Sequence, residues 1–149
     1  MKHRAPGFIA ENIPHRFPML LVDDVEALAL NWGRARKLVS ANDVLCERFD
    51  GEPPALPASL LVDALGQVAI MTLRQQAPSA DAIWFLGSIE AMTFHAPALS
   101  GCVLYMEARI LRRFQKTARI EVKASSEGMP VADGLMVLSQ GGTNRDADR

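Results

Sequence analysis

The sequence predicts an α+β fold in which a curved antiparallel sheet of about five to six strands wraps one long central helix. Three observations carry this expectation. Residues 58–75 read as a helix whose apolar side chains cover nearly its whole circumference, so it must be enclosed on most sides. The segments before and after it have strand composition or two-residue alternation. The links between the last strands are short, which favours antiparallel neighbours.

Taken in chain order, "GFIAEN" reads as a short helix that stops before Pro14. Residues 19–30 ("MLLVDDVEALAL") and 33–40 ("GRARKLVS") are strand-like, with "NWG" as the turn between them. Residues 41–57 hold three prolines and a glycine and read as a long loop, the kind of segment that often carries function in a compact domain. The helix follows, with Pro57 before it and Ala58 or Ser59 near its cap; "QQAPSAD" ends it. Four strands are then expected at 82–94, 102–113, 116–126 and 130–140. In the third, Ile120, Val122 and Ala124 alternate with Glu121 and Lys123, the pattern of a half-buried strand. "FQ" and "EGM" are the short links. One domain over 1–141 and a disordered tail over 142–149 complete the expectation.

The 149 residues suffice for one real core, and 49% apolar with 22% charged residues is the balance of a folded soluble protein. A net charge of −1 gives no general attraction to nucleic acid or to an anionic membrane. The N-terminus has no apolar core of a secretion signal, and the apolar stretch near 60–73 is too short to span a bilayer. Cys46 and Cys102 lack metal-ligand or redox spacing, so free thiols in a cytoplasmic protein are expected. No metal site, glycine-rich phosphate loop or nucleotide motif is legible.

One residue breaks the apolar helix. Asp63 is the single charge in "PALPASLLVDALGQVAIM", and a buried carboxylate costs several kcal/mol unless it is paired, hydrogen-bonded or protonated. Ser59, Asp63 and Gln67 lie four apart and form a narrow polar stripe. Asp63 either bonds local amides near the helix start, where the macrodipole favours it, or is kept for chemistry.

Several segments resemble the FabZ-type beta-hydroxyacyl-acyl-carrier-protein dehydratases. "IPHRFPMLLVDDV" (13–25) is similar to that family's L-P-H-R-Y-P-F-L-L-V-D-R-V, and "KLVSAND" (37–43) to K-x-V-S-x-N-E. "LPASLLVDALGQ" (56–67) resembles M-P-G-V-L-x-x-E-A-M-A-Q, and "FLGSIEAMTFHAPALSG" (85–101) resembles F-x-G-I-x-x-x-R-F-x-x-P-V-x-P-G-D. The likeness runs from about residue 13 to 140 and implies the hotdog fold. It also implies a homodimer or a hetero-oligomer with another dehydratase subunit, with sites at the subunit boundary. The implied substrate is an acyl thioester on acyl carrier protein or CoA, with no cofactor beyond that phosphopantetheine carrier.

Dehydration of a beta-hydroxyacyl thioester needs a base for the C2 proton and an acid for the leaving hydroxyl. In the family these are a histidine of G-H-F-P-G and a glutamate of E-A-M-A-Q from the other subunit. Asp63 stands at the glutamate position, one methylene shorter, and Gln67 matches the family's glutamine. The amides of Ala58 and Ser59 replace the family's Gly-Val as donors to a developing enolate. The histidine is missing: Arg48 or Phe49 stands in its place, and neither is a base at neutral pH. His15 matches a family histidine with a structural role and is a candidate for substrate contact. His95 is expected to face solvent, and His3 sits in a loose terminus. Cys46 reads as a small apolar loop residue. Arg109, Arg112, Arg113, Lys116 and Arg119 make either a solvated sheet face or a landing patch for an acidic carrier. Three functions follow: a dehydratase-like subunit that works alone or beside a second dehydratase, a thioesterase using Asp63, or a non-catalytic acyl-binding or assembly subunit.

Overall fold

A computed structural model of the chain describes residues 6–76 and 82–143. The apolar segment forms α2 (Ala58–Arg74), in which every residue from Leu61 to Leu73 except Asp63 is buried. What encloses it is a six-stranded antiparallel sheet. Its strands are β1 (Asp24–Leu28), β2 (Trp32–Leu38), β4 (Ala82–Phe94), β6 (Val103–Phe114), β7 (Thr117–Ser126) and β8 (Met129–Thr143), ordered β1-β2-β6-β7-β8-β4. A separate two-stranded pair joins β3 (Ala55–Leu56) to β5 (Ala98–Leu99), and α1 (Pro6–Asn12) precedes the sheet. This is the hotdog arrangement.

The core lies between α2 and the concave face of the sheet. Leu65, Met71 and Leu73 of the helix are fully buried, as are Leu104, Met106, Ile120, Met136 and Leu138 of the strands. Each such side chain contributes about 1.5–3 kcal/mol relative to exposure. The alternation expected in β7 is observed: Ile120, Val122 and Ala124 point inward. The hairpin links turn through left-handed residues, Gln115 (φ 50°) between β6 and β7, and Glu127 (φ 51°) with Gly128 (φ 77°) between β7 and β8.

Several expected boundaries shift: β2 takes in Trp32 and Gly33 of the expected turn and ends at Leu38, β3 lies within the expected loop, and the largest changes are at the two ends of the sheet sequence. The first strand is not 19–30 but Asp24–Leu28, because the backbone of Met19 and Leu21 bonds the Gln67 side chain of α2 rather than a neighbouring strand. At the other end β8 runs to Thr143, past the expected domain limit at 141; the remainder of the expected tail, 144–149, lies outside the described residues.

Where β2 crosses α2 the approach is so close that only glycine fits. A Cβ on Gly33 would lie 2.2 Å from Thr72 Oγ1 and 2.9 Å from Leu28 Cδ2. Gly33→Ala is expected to destabilise by about 1–3 kcal/mol, as overpacking does. Thr72→Ala in the same chain removes the nearest clashing atom and should restore part of the loss. Urea midpoints of the two variants check this; an unshifted midpoint for Gly33→Ala contradicts the close approach.

β4 differs from the other strands. It ends the sheet, is thirteen residues long, and is exposed over most of its length on both faces, with Phe85, Leu86, Ile89 and Phe94 about half exposed. A long apolar edge with an unpaired ladder is a template for another strand.

Candidate functional site

Of the cavities beside α2, two lie at opposite ends of β4 and hold candidate site residues. The first holds the lone helical carboxylate. Gln67, buried one turn after Asp63, uses its whole amide: Nε2 donates to Asp63 Oδ2 (2.9 Å) and to Met19 O (2.8 Å), and Oε1 accepts the Leu21 N–H (3.0 Å). Asp63 is therefore held by a side-chain amide rather than by helix N–H groups. It is half-buried and opens on a cavity of about 270 Å³ walled by His15, Ile70, Ile83, Trp84 and Phe85. His15 Nδ1 is buried and has no hydrogen-bond partner among the described residues.

The second cavity, about 440 Å³, lies at the amino end of α2. Phe49, Leu56, Pro57, Ala58, Leu61, Phe94 and Pro97 give it apolar walls; Glu47 and His95 are its titratable groups. Leu60 and Leu61 donate to Pro57 O, and no side chain caps the helix. The amides of Ala58 and Ser59, nearer the end, have no carbonyl within the helix to reach, so they favour negative charge there. Ser59 is exposed and is not on either cavity wall, so the polar stripe is joined only between Asp63 and Gln67.

Of the two residues at the missing histidine's place, the structure puts Phe49 on the wall of the second cavity. Arg48 instead donates to the Ala41 carbonyl and fastens the loop to itself. His95 is exposed, as expected, and the structure adds contacts that the sequence does not show. It lines the second cavity, its Nε2 lies 2.5 Å from Asp133 Oδ2 of β8, and its backbone N–H donates to Val131 O (2.8 Å). The partners are 38 residues apart, so no local pattern in the sequence announces the pair.

The loop before the cavities is pinned by a buried Lys37, whose Nζ donates to Asp43 Oδ2 at 3.1 Å. Burial raises the Asp43 pKa, but the Leu45 N–H and the Lys37 ammonium outweigh it and hold that carboxyl below its ordinary value. Burial, with the Asp43 charge nearby, pushes the Cys46 thiol up, and burial does the same to Cys102. Neither carries thiolate at neutral pH, which agrees with an apolar rather than nucleophilic Cys46. In the basic cluster, Arg119 Nε meets Glu90 Oε2 at 2.6 Å and Arg113 lies 5.3 Å from the Trp84 ring centroid. Among the described residues no group of His, Cys, Asp and Glu is placed to hold a metal ion, and no helix is long and apolar enough to cross a membrane.

The family model of the Thioesterase superfamily matches residues 60–132. The chain is 36% identical over 129 residues to a 3-hydroxyacyl-[acyl-carrier-protein] dehydratase FabZ of Ruminiclostridium cellulolyticum, covering 85% of this chain and 89% of that protein. It is 33% identical over 134 residues to the FabZ of Listeria welshimeri, covering 88% and 92%. Among solved structures it is similar to the dehydratase heterocomplex ApeI:P from Xenorhabdus doucetiae (TM-score 0.78, 22% identity, 90% and 91% covered). It is also similar to a hypothetical thioesterase with coenzyme A from Streptococcus pneumoniae (TM-score 0.60, 12% identity, 80% and 85% covered).

Proposed function

Since this chain belongs to the FabZ family of 3-hydroxyacyl-[acyl-carrier-protein] dehydratases within the thioesterase superfamily, we propose that it dehydrates 3-hydroxyacyl thioesters at a site shared between two subunits. The observation that carries this reading is the placement of the two cavities. The Asp63 cavity includes Ile83, Trp84, Phe85 and Leu86 at the start of β4; the other includes Phe94 and His95 at its end. If the bare edge of β4 pairs antiparallel with that of a second copy about a two-fold axis, Phe94 comes opposite Ala82 and Ser88 opposite itself. Each amino-end cavity then meets the Asp63 cavity of the other subunit, and the acyl chain lies along their apolar walls.

In this site the Ala58 amide, on the cavity wall at the end of α2, stabilises the thioester oxygen as charge develops on it. Asp63, aligned by Gln67, serves as the acid for the leaving hydroxyl. The substrate arrives on the phosphopantetheine arm of an acyl carrier protein or of CoA, in the cytoplasm. The test is to incubate the purified chain with a 3-hydroxyacyl thioester of acyl carrier protein, alone and mixed with a second FabZ-type dehydratase, and to follow products by mass. A 2-enoyl thioester, 18 Da lighter by loss of one water on the order of a single step, is expected. Release of free thiol in place of the enoyl product establishes a thioesterase instead. Binding with neither product in any mixture leaves an acyl-binding subunit and overturns the dehydratase reading.

A further inference from the structure

We propose that His95, oriented by Asp133, is the base that the loop before α2 lacks, so that a pair of identical chains holds a complete dehydration site. The inference rests on the dehydratase reading and adds to it the residue that takes the C2 proton.

Four observations converge on His95. It stands on the same cavity wall as Phe49, which fills the place of the family's histidine, and as Ala58, whose amide is at the helix end. Its Nε2 lies 2.5 Å from the Asp133 carboxylate, a contact that favours the tautomer with its proton on Nε2 and the lone pair on Nδ1. A carboxylate that fixes the tautomer and supports the imidazolium is the arrangement used where a histidine accepts a proton during turnover. The pair is also reachable: the side chains are 37% and 48% exposed, which suits a group that must meet substrate. Finally, the backbone anchor to Val131 O places His95 directly beyond the end of β4, the point that self-pairing of β4 brings to the Asp63 cavity of the other copy.

The reaction balances with these groups alone. His95 takes the C2 proton, and the C2–H electron pair becomes the second bond between C2 and C3. The C3–O bond breaks, and the hydroxyl leaves as water with the proton of the Asp63 carboxyl from the opposing copy. The proton on His95 then returns to that carboxylate through solvent, which restores both groups. Asp133 touches no reacting atom and is a positioning residue.

The experiment uses the full chain with 3-hydroxybutanoyl-N-acetylcysteamine, with enoyl product as readout. His95→Gln is expected to lower kcat by roughly 10²–10³-fold with KM within about twofold. Asp133→Asn should lower kcat by about tenfold or more, again with KM nearly unchanged, as loss of orientation does. His95→Ala should regain part of its rate when imidazole is added, a response that a purely structural histidine does not give. Turnover by His95→Gln equal to the unaltered chain, while Asp63→Asn is dead, overturns the assignment and leaves the dehydratase reading standing. So does turnover seen only when a second dehydratase brings its own histidine. No enoyl product from any mixture overturns both.

Discussion

Asp63→Asn is expected to lower dehydration by about 10²–10⁴-fold, the range that a positioned proton donor supplies. The change is isosteric and leaves an amide oxygen in the place of Oδ2, so the Gln67 Nε2–H keeps an acceptor and the helix packing is untouched. What is lost is the acidic proton, since an amide cannot give one to a leaving hydroxyl. Thermal midpoints of the variant and the unaltered chain should therefore lie close together while kcat separates widely. Asp63→Glu restores the carboxyl one methylene further along, as the family has it, and should keep a substantial part of the rate. The cavity beside Asp63, about 270 Å³, has room for that methylene. Equal rates for Asp63→Asn and the unaltered chain, measured as enoyl thioester formed, would remove Asp63 from the chemistry.

Gln67→Leu has the largest expected cost to stability. The side chain is buried, and its amide closes three bonds at once, two of them to the backbone of Met19 and Leu21. Leucine fills similar space but leaves the buried Leu21 N–H without its acceptor and takes the donor from the half-open Met19 carbonyl, which water can still reach. An unsatisfied buried group costs about 1–3 kcal/mol, so a loss of that order is expected from the Leu21 N–H. The Leu21 amide should also exchange with solvent faster, because its acceptor is gone. Turnover should fall as well, since Asp63 loses the donor that sets its orientation. Denaturant midpoints give the first quantity and amide exchange the second. A loss under about 0.5 kcal/mol would mean that residues 19–21 do not depend on the helix for their conformation.

Much of the fold is legible in the chain because it follows from short-range periodicity and sterics. The apolar circumference of 58–75 determines that α2 is enclosed, and the structure leaves only Asp63 among Leu61–Leu73 incompletely buried. Alternation at Ile120, Val122 and Ala124 determines which face of β7 points inward. The odd charge on an apolar helix marks Asp63 before any coordinates exist, since cost of burial is a property of the residue type. The first strand is where local reading goes astray: "MLLVD" has strand composition, yet Gln67 captures its backbone from 46 and 48 residues away.

The composition of the candidate site belongs to the same long-range class. Nothing near His95 in the chain reveals that β8 returns to set Asp133 against its ring, so a histidine that looks solvent-facing acquires an orienting carboxylate only in three dimensions. The bareness of β4 is likewise a matter of sheet order: the strand has apolar composition like its neighbours, and it is the end position that leaves Phe85, Leu86, Ile89 and Phe94 uncovered. Residue type and local period settled which segments form the helix and strands and which carboxylate is out of place. Tertiary structure alone decided what meets that carboxylate and its counterpart cavity, because contacts across a curved sheet depend on register and topology that no local pattern carries.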